Sequence, residues 1–210
     1  MLNGEEEVTA KGVILHREDR GENRLWSTVF LQGIGMVGVS SKNFAGDSEP
    51  FVWGEFYFRR IRNSTKYFMF DTDIKDTMLH IRRRGLETLQ IAFAFVNAVM
   101  KYLPYEQPDD DLLVNLYWSM KLLTIGAVPP SAAHWRFVWR WLNEWGLAPE
   151  LRGFCVSGNF LQEEFDLLSQ VAGLTPKAAA DIFSGKLNPN IRQNVFRVAV
   201  NNAVKFLDQI

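Results

Sequence analysis

Cysteine and net charge are both scarce in this chain. It has one cysteine, Cys155, and its 23 lysine and arginine residues are balanced by 24 aspartate and glutamate residues, which gives a formal net charge of -1. A single cysteine excludes an internal disulfide framework and favours a reducing compartment. Balanced charge excludes a global field that would attract nucleic acid or anionic lipid. Any site for such a ligand must therefore be a local patch.

Long hydrophobic runs are also missing. The longest apolar stretch, residues 91–100, is interrupted by Asn97 and is too short to span a bilayer. The first ten residues, MLNGEEEVTA, are acidic and lack the apolar region of a signal peptide. These absences predict a soluble, cytoplasmic protein.

Recognisable catalytic motifs are absent as well. The three histidines and the single cysteine form no arrangement typical of nucleophilic catalysis, and no P-loop or metalloprotease motif occurs. This favours a binding protein over an enzyme. An enzyme remains an alternative, but it would need an acid–base pair that only the fold brings together.

One apparent cofactor motif has the wrong context. Gly33, Gly35 and Gly38 match the G-x-G-x-x-G spacing of dinucleotide-binding folds. That motif binds phosphate only where its last glycine opens a helix, and the residues that follow here have no helical period. We therefore predict that these glycines belong to a β-hairpin, and we expect no cofactor.

The main feature that the sequence does contain is a change of period near residue 75. Before it, apolar and polar residues alternate or form β-branched and aromatic runs, which predicts five strands. They are centred on Val13 and Leu15 and on residues 25–31, 36–40, 51–61 and 66–72. Five strands are the strand count of an OB-type barrel, and a β-sandwich fragment is the alternative.

After residue 75 the apolar residues recur every three or four positions, which predicts helices. The predicted helices cover residues 86–103, 112–123, 134–145, 161–171, 175–183 and 190–208. Asp109 to Asp111 precede the second of them as an N-cap region. We therefore predict an α+β protein with an N-terminal five-stranded OB-type β-barrel in residues 1–75 and a C-terminal all-helical domain in residues 76–210.

Two segments resemble the RecO family of bacterial recombination mediators. The first runs from His16 to Leu25 (HREDRGENRL) and is followed by Phe30 and the glycine turn. The second is the helix from Phe137 that runs into EWGLAPEL, residues 144–151, which is similar to a Leu-Gly-x-x-Pro-x-Leu corner common in that family. The resemblance in layout covers nearly the whole chain. It implies an N-terminal OB-fold and a helical C-terminal domain.

The same resemblance implies a role in DNA repair and recombination. RecO proteins anneal complementary single strands and help to load the recombinase onto single-stranded DNA. The partners implied are single- and double-stranded DNA, RecR and the acidic-hydrophobic tail of single-strand binding protein.

The chain departs from the family pattern in two places. Many RecO proteins hold zinc with four cysteines after the corner, whereas this chain offers only Cys155, so we expect no metal there and interpret Cys155 as a small buried hydrophobic residue. The basic stretch that usually follows the third strand is replaced by SSKNFAGD, residues 40–47, which keeps one lysine. This weakens the expected DNA footprint.

Binding of single strands without sequence preference requires cations for the phosphates and aromatic faces for the bases. The fourth and fifth predicted strands combine both, and alternation places Arg60 and Arg62 on one face of the strand and Arg59 on the other. The aromatic residues there are Phe56, Tyr57, Phe58, Tyr67 and Phe68. The candidate nucleic-acid-binding residues are Arg17, Arg20, Arg24, Lys42, Arg59, Arg60, Arg62, Lys66, Arg82, Arg83 and Arg84. Residues 1–74 nevertheless carry a net charge of -2, so the DNA surface is predicted to be a patch on a neutral body.

Four tryptophans mark the helix predicted at residues 134–145. Trp135 and Trp139 share one stripe of this helix, while Trp141 and Trp145 form a second. Packing on two faces is typical of a core contact combined with a domain or partner contact, so these four are the candidate partner-binding residues. The alternative function is therefore a RecO-like protein–protein interaction module with weak or no DNA binding.

Overall fold

The computed structural model describes residues 5–21, 24–42, 49–61, 67–126, 128–173, 175, 178 and 194–209. Within these ranges five strands precede seven helices. This confirms the α+β class and the order of a strand region followed by a helical region.

The five strands are those expected, with longer bounds at several ends. They are β1 (Glu5–Asp19), β2 (Arg24–Leu31), β3 (Gly35–Lys42), β4 (Trp53–Ile61) and β5 (Tyr67–Asp76). The largest difference is β1, which begins at Glu5 in the acidic N-terminal segment. This extension pairs with β4, a partner that periodicity cannot identify.

Each strand pairs with two neighbours, so the sheet closes on itself in the order β1-β2-β3-β5-β4. The pairs are antiparallel except for β3 with β5, which are parallel. Closure depends on β1, because its first half pairs with β4 and its second half with β2. We call this closed sheet the barrel.

Strand β1 bends where it passes from one partner to the other. Gly12 and Val13 pair with β2 and β4 at the same time. A Cβ atom on Gly12 would lie 2.1 Å from the Phe30 carbonyl oxygen, so only glycine fits at this point. The register then shifts between Ile14 and His16, and a bulge of this kind adds curvature to a strand.

Alternation along the strands fills the barrel interior with apolar side chains. The buried cluster comprises Ala10, Ile14, Val29, Leu31, Val37, Val39, Val52, Phe56, Phe58, Tyr67 and Met69. Because successive side chains of a strand point to opposite faces, the residues between these positions lie on the outside. This alternation decides which aromatic residues are available to a ligand.

The glycines of the apparent cofactor motif lie in the β2–β3 hairpin and in β3, as predicted. Gly33 and Gly35 have φ values of +70° and +95°. Residues 106–110 lie beside this turn: the Glu106 N–H donates to the Met36 carbonyl oxygen, and the Gly33 N–H donates to Asp110 Oδ1. The turn therefore needs both the conformational freedom of glycine and its lack of a side chain.

The helices are α1 (His80–Arg83), α2 (Leu86–Tyr102), α3 (Asp110–Ile125), α4 (Pro130–Glu144), α5 (Leu151–Ser157), α6 (Gln162–Ala172) and α7 (Asn194–Leu207). Four of the predicted helices match α2, α3, α4 and α6, and the helix predicted at residues 190–208 matches α7 where the structure describes it. Residues 190–193 lie outside the described part of the chain. Asp109 Oδ1 accepts the Leu112 N–H, which confirms the predicted N-cap region of α3. The short helices α1 and α5 were not predicted, because four and seven residues are too few to show a period. The helix predicted at residues 175–183 lies almost wholly outside the described residues.

Contacts divide the chain into two compact units. Unit 1 contains residues 1–78 and 96–113, and unit 2 contains residues 79–95 and 114–210. The end of α2 and the first turn of α3 thus group with the strands. The domain boundary at residue 75 stays a prediction.

Helix α4 is the centre of unit 2. Trp135, Phe137 and Trp141 are fully buried, and so is the Arg136 side chain. The Arg136 guanidinium donates to Ser119 Oγ at 3.1 Å, and its burial lowers its pKa to about 10. His134 packs edge-on against Phe95, and burial lowers the pKa of His134 to about 4.

No helix among the described residues is long and apolar enough to cross a bilayer.

The hairpin geometry predicts unequal costs for two neighbouring glycine substitutions. Gly33→Ala meets no heavy atom within 4 Å, so it should cost only the conformational strain of a positive φ, about 1–2 kcal/mol. A Cβ at position 35 would lie 2.3 Å from the Gln107 carbonyl oxygen, so Gly35→Ala should lower the free energy of unfolding by clearly more. Urea denaturation of both variants measures the difference. Equal losses would contradict the close contact with residue 107.

Burial of His134 predicts a pH-dependent stability. Its folded pKa of about 4 lies below the ordinary value, so the unfolded chain binds the proton more tightly and stability falls as the pH drops from about 6.5 towards 4. Between pH 7.5 and 5.0 this side chain should account for about 1–2 kcal/mol of lost unfolding free energy.

Denaturation at both pH values should show that His134→Phe loses less stability than the wild type over this interval. The exposed His80 provides the control variant, His80→Gln. Identical pH dependence of the wild type and His134→Phe would rule out a partly buried, neutral imidazole at this position.

Candidate nucleic-acid interface

Side chains on the outside of the barrel form a row that crosses all five strands. Each member is the register partner of the next on the neighbouring strand, and none is buried. In order around the barrel, the row consists of Glu7 (β1), Arg59 (β4), Phe68 (β5), Ser40 (β3), Trp26 (β2) and Glu18 (β1). We call these six residues the outer row. It begins and ends on β1, because β1 pairs with both β2 and β4.

The Trp26 indole occupies space on strand β3 that is left open by Gly38, which lies two residues before its register partner Ser40. A Cβ atom on Gly38 would lie 2.4 Å from Trp26 Cζ2, so any larger residue would displace the indole. The ring is half-buried, and the Arg20 guanidinium carbon lies 4.8 Å from its centroid. One ring and one cation are thus held together on the outer surface of β2 and β3.

A second aromatic and cationic group lies on β4 and β5. Phe68 is 36% exposed, which is unusual for a phenylalanine. The Arg59 guanidinium carbon lies 5.0 Å from the ring centroid of Phe70, and Phe70 lies 6.4 Å from Tyr57. Flat apolar rings beside arginines are the elements that stack bases and neutralise phosphates.

Glutamates neutralise much of this positive charge. Arg59 Nε lies 3.6 Å from Glu7 Oε1, and Arg20 Nη2 lies 3.2 Å from Glu18 Oε2. All four side chains are about half exposed or more, and ion pairs of this kind contribute only about 0–1 kcal/mol. The outer row is therefore amphoteric rather than strongly basic.

Beyond Tyr57 the outer surface becomes acidic. The Tyr57 hydroxyl donates to Glu55 Oε2, and this hydrogen bond and the negative charge of Glu55, Asp73 and Asp71 raise the pKa of Tyr57. Lys75 pairs with Asp73, but the three carboxylates outnumber this cation, so the outer row is the more favourable side for a phosphate.

The other predicted barrel cations are dispersed. Arg17 is half-buried and its Nη1 atom lies 2.7 Å from Glu49 Oε1. Arg60 is half-buried beside the Tyr67 ring, on the face opposite Arg59 as alternation predicts. Arg24 is exposed at the start of β2, opposite Lys42. The side chain of Lys42, and Arg62 and Lys66 as whole residues, lie outside the part of the chain that the structure describes.

The arginine triplet at residues 82–84 lies in unit 2. Arg84 donates to the carbonyl oxygens of Thr124 and Ile125 at 2.7 and 2.6 Å. It thus supplies hydrogen-bond donors to carbonyl groups that have no partner within the helix at the C-terminus of α3. Gly126, with a φ of +63°, leaves the space that this guanidinium occupies. Arg82 and Arg83 are exposed on α1. Arg84 therefore has a structural role that its sequence context does not reveal.

Three of the four candidate partner-binding tryptophans are core residues. Trp135 and Trp141 are fully buried and Trp139 is 5% exposed. Trp135 Nε1 donates to the Leu168 carbonyl oxygen, and its ring packs 4.7 Å from that of Trp139. Their burial removes these three from the predicted partner surface, and only Trp145 is partly exposed.

The predicted hairpin aromatics divide between core and surface. Phe56, Phe58 and Tyr67 are buried, whereas Tyr57 is half-buried and Phe68 is exposed. Sequence reasoning missed Trp26, Gly38 and Phe70 as parts of the site. Alternation would have placed Trp26 on the outside of the barrel, because its neighbours Leu25 and Ser27 point inward. Its packing against Gly38 depends on the pairing of β2 with β3, which the local sequence does not show.

Comparison with known proteins gives no independent support for a family. No protein-family model matches the chain, and no curated protein matches it significantly. The resemblance to RecO therefore rests on the residues of the two segments themselves and stays a prediction.

Proposed function

We propose that this protein binds single-stranded DNA along the outer row, as a cytoplasmic repair protein of the RecO type with an OB-type barrel. The observation that carries the proposal is the alignment of exposed Phe68 and half-buried Trp26 with Arg59 across adjacent strands. Aromatic faces and cations at one level of a barrel suit a chain of alternating bases and phosphates.

The strand connectivity supports the OB-type assignment. Five strands in the order β1-β2-β3-β5-β4 give a Greek-key barrel, and OB-folds bind oligonucleotides on the face of strands 2 and 3 and on the neighbouring loops. Trp26 and Ser40 of the outer row lie on those two strands, and Arg20 follows β1 in the first of those loops.

The chemistry of the outer row fits annealing of complementary strands. Stacking on Trp26 and Phe68 is independent of base identity, and the few accessible arginines give moderate affinity. A strand held in this way keeps its base edges available for pairing and is released when the duplex forms. Recombinase loading, with RecR and the tail of single-strand binding protein as partners, is the role that the resemblance adds.

A second function, a protein–protein interaction module with weak or no DNA binding, is favoured by other observations. Arg59 of the outer row and Arg20 beside it are partly neutralised by glutamates, and α3 exposes Val114, Trp118 and Ile125. These three residues recur at helical spacing on one side of α3. DNA binding separates the two functions.

Removing the rings predicts a loss of affinity. Trp26→Ala combined with Phe68→Ala should weaken binding of a fluorescein-labelled dT20 oligonucleotide by about 1–3 kcal/mol for each base that loses a stacking partner. Fluorescence anisotropy at 50 mM NaCl measures the dissociation constant. Trp118→Ala removes from α3 a ring about as exposed as that of Phe68, and it should leave the dissociation constant unchanged. No binding by the wild type would refute the proposal and favour the interaction module.

Neutralising Arg59 predicts a change in salt dependence. If this guanidinium contacts a phosphate, Arg59→Gln should lower the slope of log K against log salt by about 0.7, since one fewer counterion is released from a single strand. Titrations between 50 and 200 mM NaCl give the slope. Arg152→Gln, an exposed residue of α5, is the control. Equal slopes for wild type and Arg59→Gln would remove Arg59 from the interface.

A further inference from the structure

We propose that Glu7 and Glu18 act as internal competitors of the DNA phosphates and so set the affinity of the outer row. This inference rests on the proposed function, because it concerns the same surface. Glu7 lies within ion-pair distance of Arg59 and Glu18 within ion-pair distance of Arg20. Arg20 lies over the half-buried ring of Trp26, and Arg59 lies over the half-buried ring of Phe70.

Strand β1 supplies both carboxylates because of barrel closure. Its first half pairs with β4, which places Glu7 opposite Arg59, and its second half pairs with β2, which places Glu18 opposite Trp26. The outer row therefore starts and ends with a glutamate. A single strand that lies along the row meets a carboxylate at each end of the aromatic segment.

The geometry makes each carboxylate a displaceable substitute for phosphate. Carboxylates and phosphates are both oxygen anions that accept hydrogen bonds from a guanidinium. The Glu7–Arg59 and Glu18–Arg20 ion pairs are both exposed to solvent. A phosphate that binds Arg59 must displace Glu7 and then remains close to its negative charge. Both effects weaken binding, and both are removed when the carboxylate becomes an amide of the same shape.

The direct test is the pair of isosteric substitutions Glu7→Gln and Glu18→Gln in one variant. Anisotropy titrations with labelled dT20 at 50 mM NaCl should give a dissociation constant about 3- to 10-fold lower than that of the wild type, and the difference should shrink at 200 mM because salt screens it. An unchanged or higher dissociation constant, with the wild type still binding, would overturn the inference and leave the proposed function standing.

A matched control is available in unit 2. Glu87 pairs with Arg197 at 2.7 Å, and both side chains are about half exposed. Glu87→Gln removes one negative charge, as each of the two test substitutions does, from a similar ion pair that is not part of the outer row. The affinity of this variant for dT20 should stay within twofold of the wild type. A gain in binding free energy of half that of the double variant or more would show a global charge effect and contradict the proposal.

A double-mutant cycle tests whether Glu7 acts through Arg59. Glu7→Gln should strengthen binding in the wild-type background and have clearly less effect in the Arg59→Gln background. Equal gains in both backgrounds would show that Glu7 acts on the DNA without competing for this guanidinium, which would overturn the mechanism. Absence of binding by the wild type would instead refute the proposed function.

Discussion

The pairing of β1 with two partners is the constraint on which the barrel depends. A strand can close the sheet only if it bends between β2 and β4, and Gly12 permits this because no side chain separates it from the Phe30 carbonyl. Closure encloses the apolar cluster and leaves the alternate residues outside. It also brings residues 11 positions apart in β1 to the two ends of one outer row.

The outer surface of the barrel carries aromatic rings and arginines, and also glutamates that partly neutralise those arginines. Phe68 is exposed and Trp26 and Phe70 are half-buried on the outside of the barrel, with Arg20 over the Trp26 ring and Arg59 over the Phe70 ring. The same arginines have glutamate neighbours, and the surface beyond Tyr57 is acidic. A near-neutral protein can present a local binding surface in this way without attracting nucleic acid over its whole body.

Period and turn chemistry were sufficient to predict most of the fold. Alternation identified five strands, and the spacing of three and four residues identified α2, α3, α4 and α6. The OB-type assignment and the family stay predictions. Short helices carried too few residues to show a period, and the extension of β1 and the contact of Gly35 with Gln107 are long-range features that local sequence does not encode.

The candidate site was less predictable for the same reason. The sequence indicated arginines and aromatic residues in β4 and β5. In the structure Phe58 and Tyr67 are buried and only Phe68 is exposed. Arg84 donates to a backbone carbonyl of α3 instead of lying free for a ligand. Which acid lies beside which arginine depends on strand register. The spacing of Trp135 and Trp141 correctly indicated a helix, but both residues pack in the core and not on a partner surface.

In the proposed function, the width of the barrel surface limits the length of single-stranded DNA that one molecule holds. From Trp26 to Arg59 the outer row crosses three strand spacings, or about 14 Å at about 4.8 Å each. At the rise of about 3.4 Å per stacked nucleotide this corresponds to roughly four nucleotides. Such a footprint is at the short end of those known for OB-folds, about 4–16 nucleotides. Longer strands would need several molecules side by side.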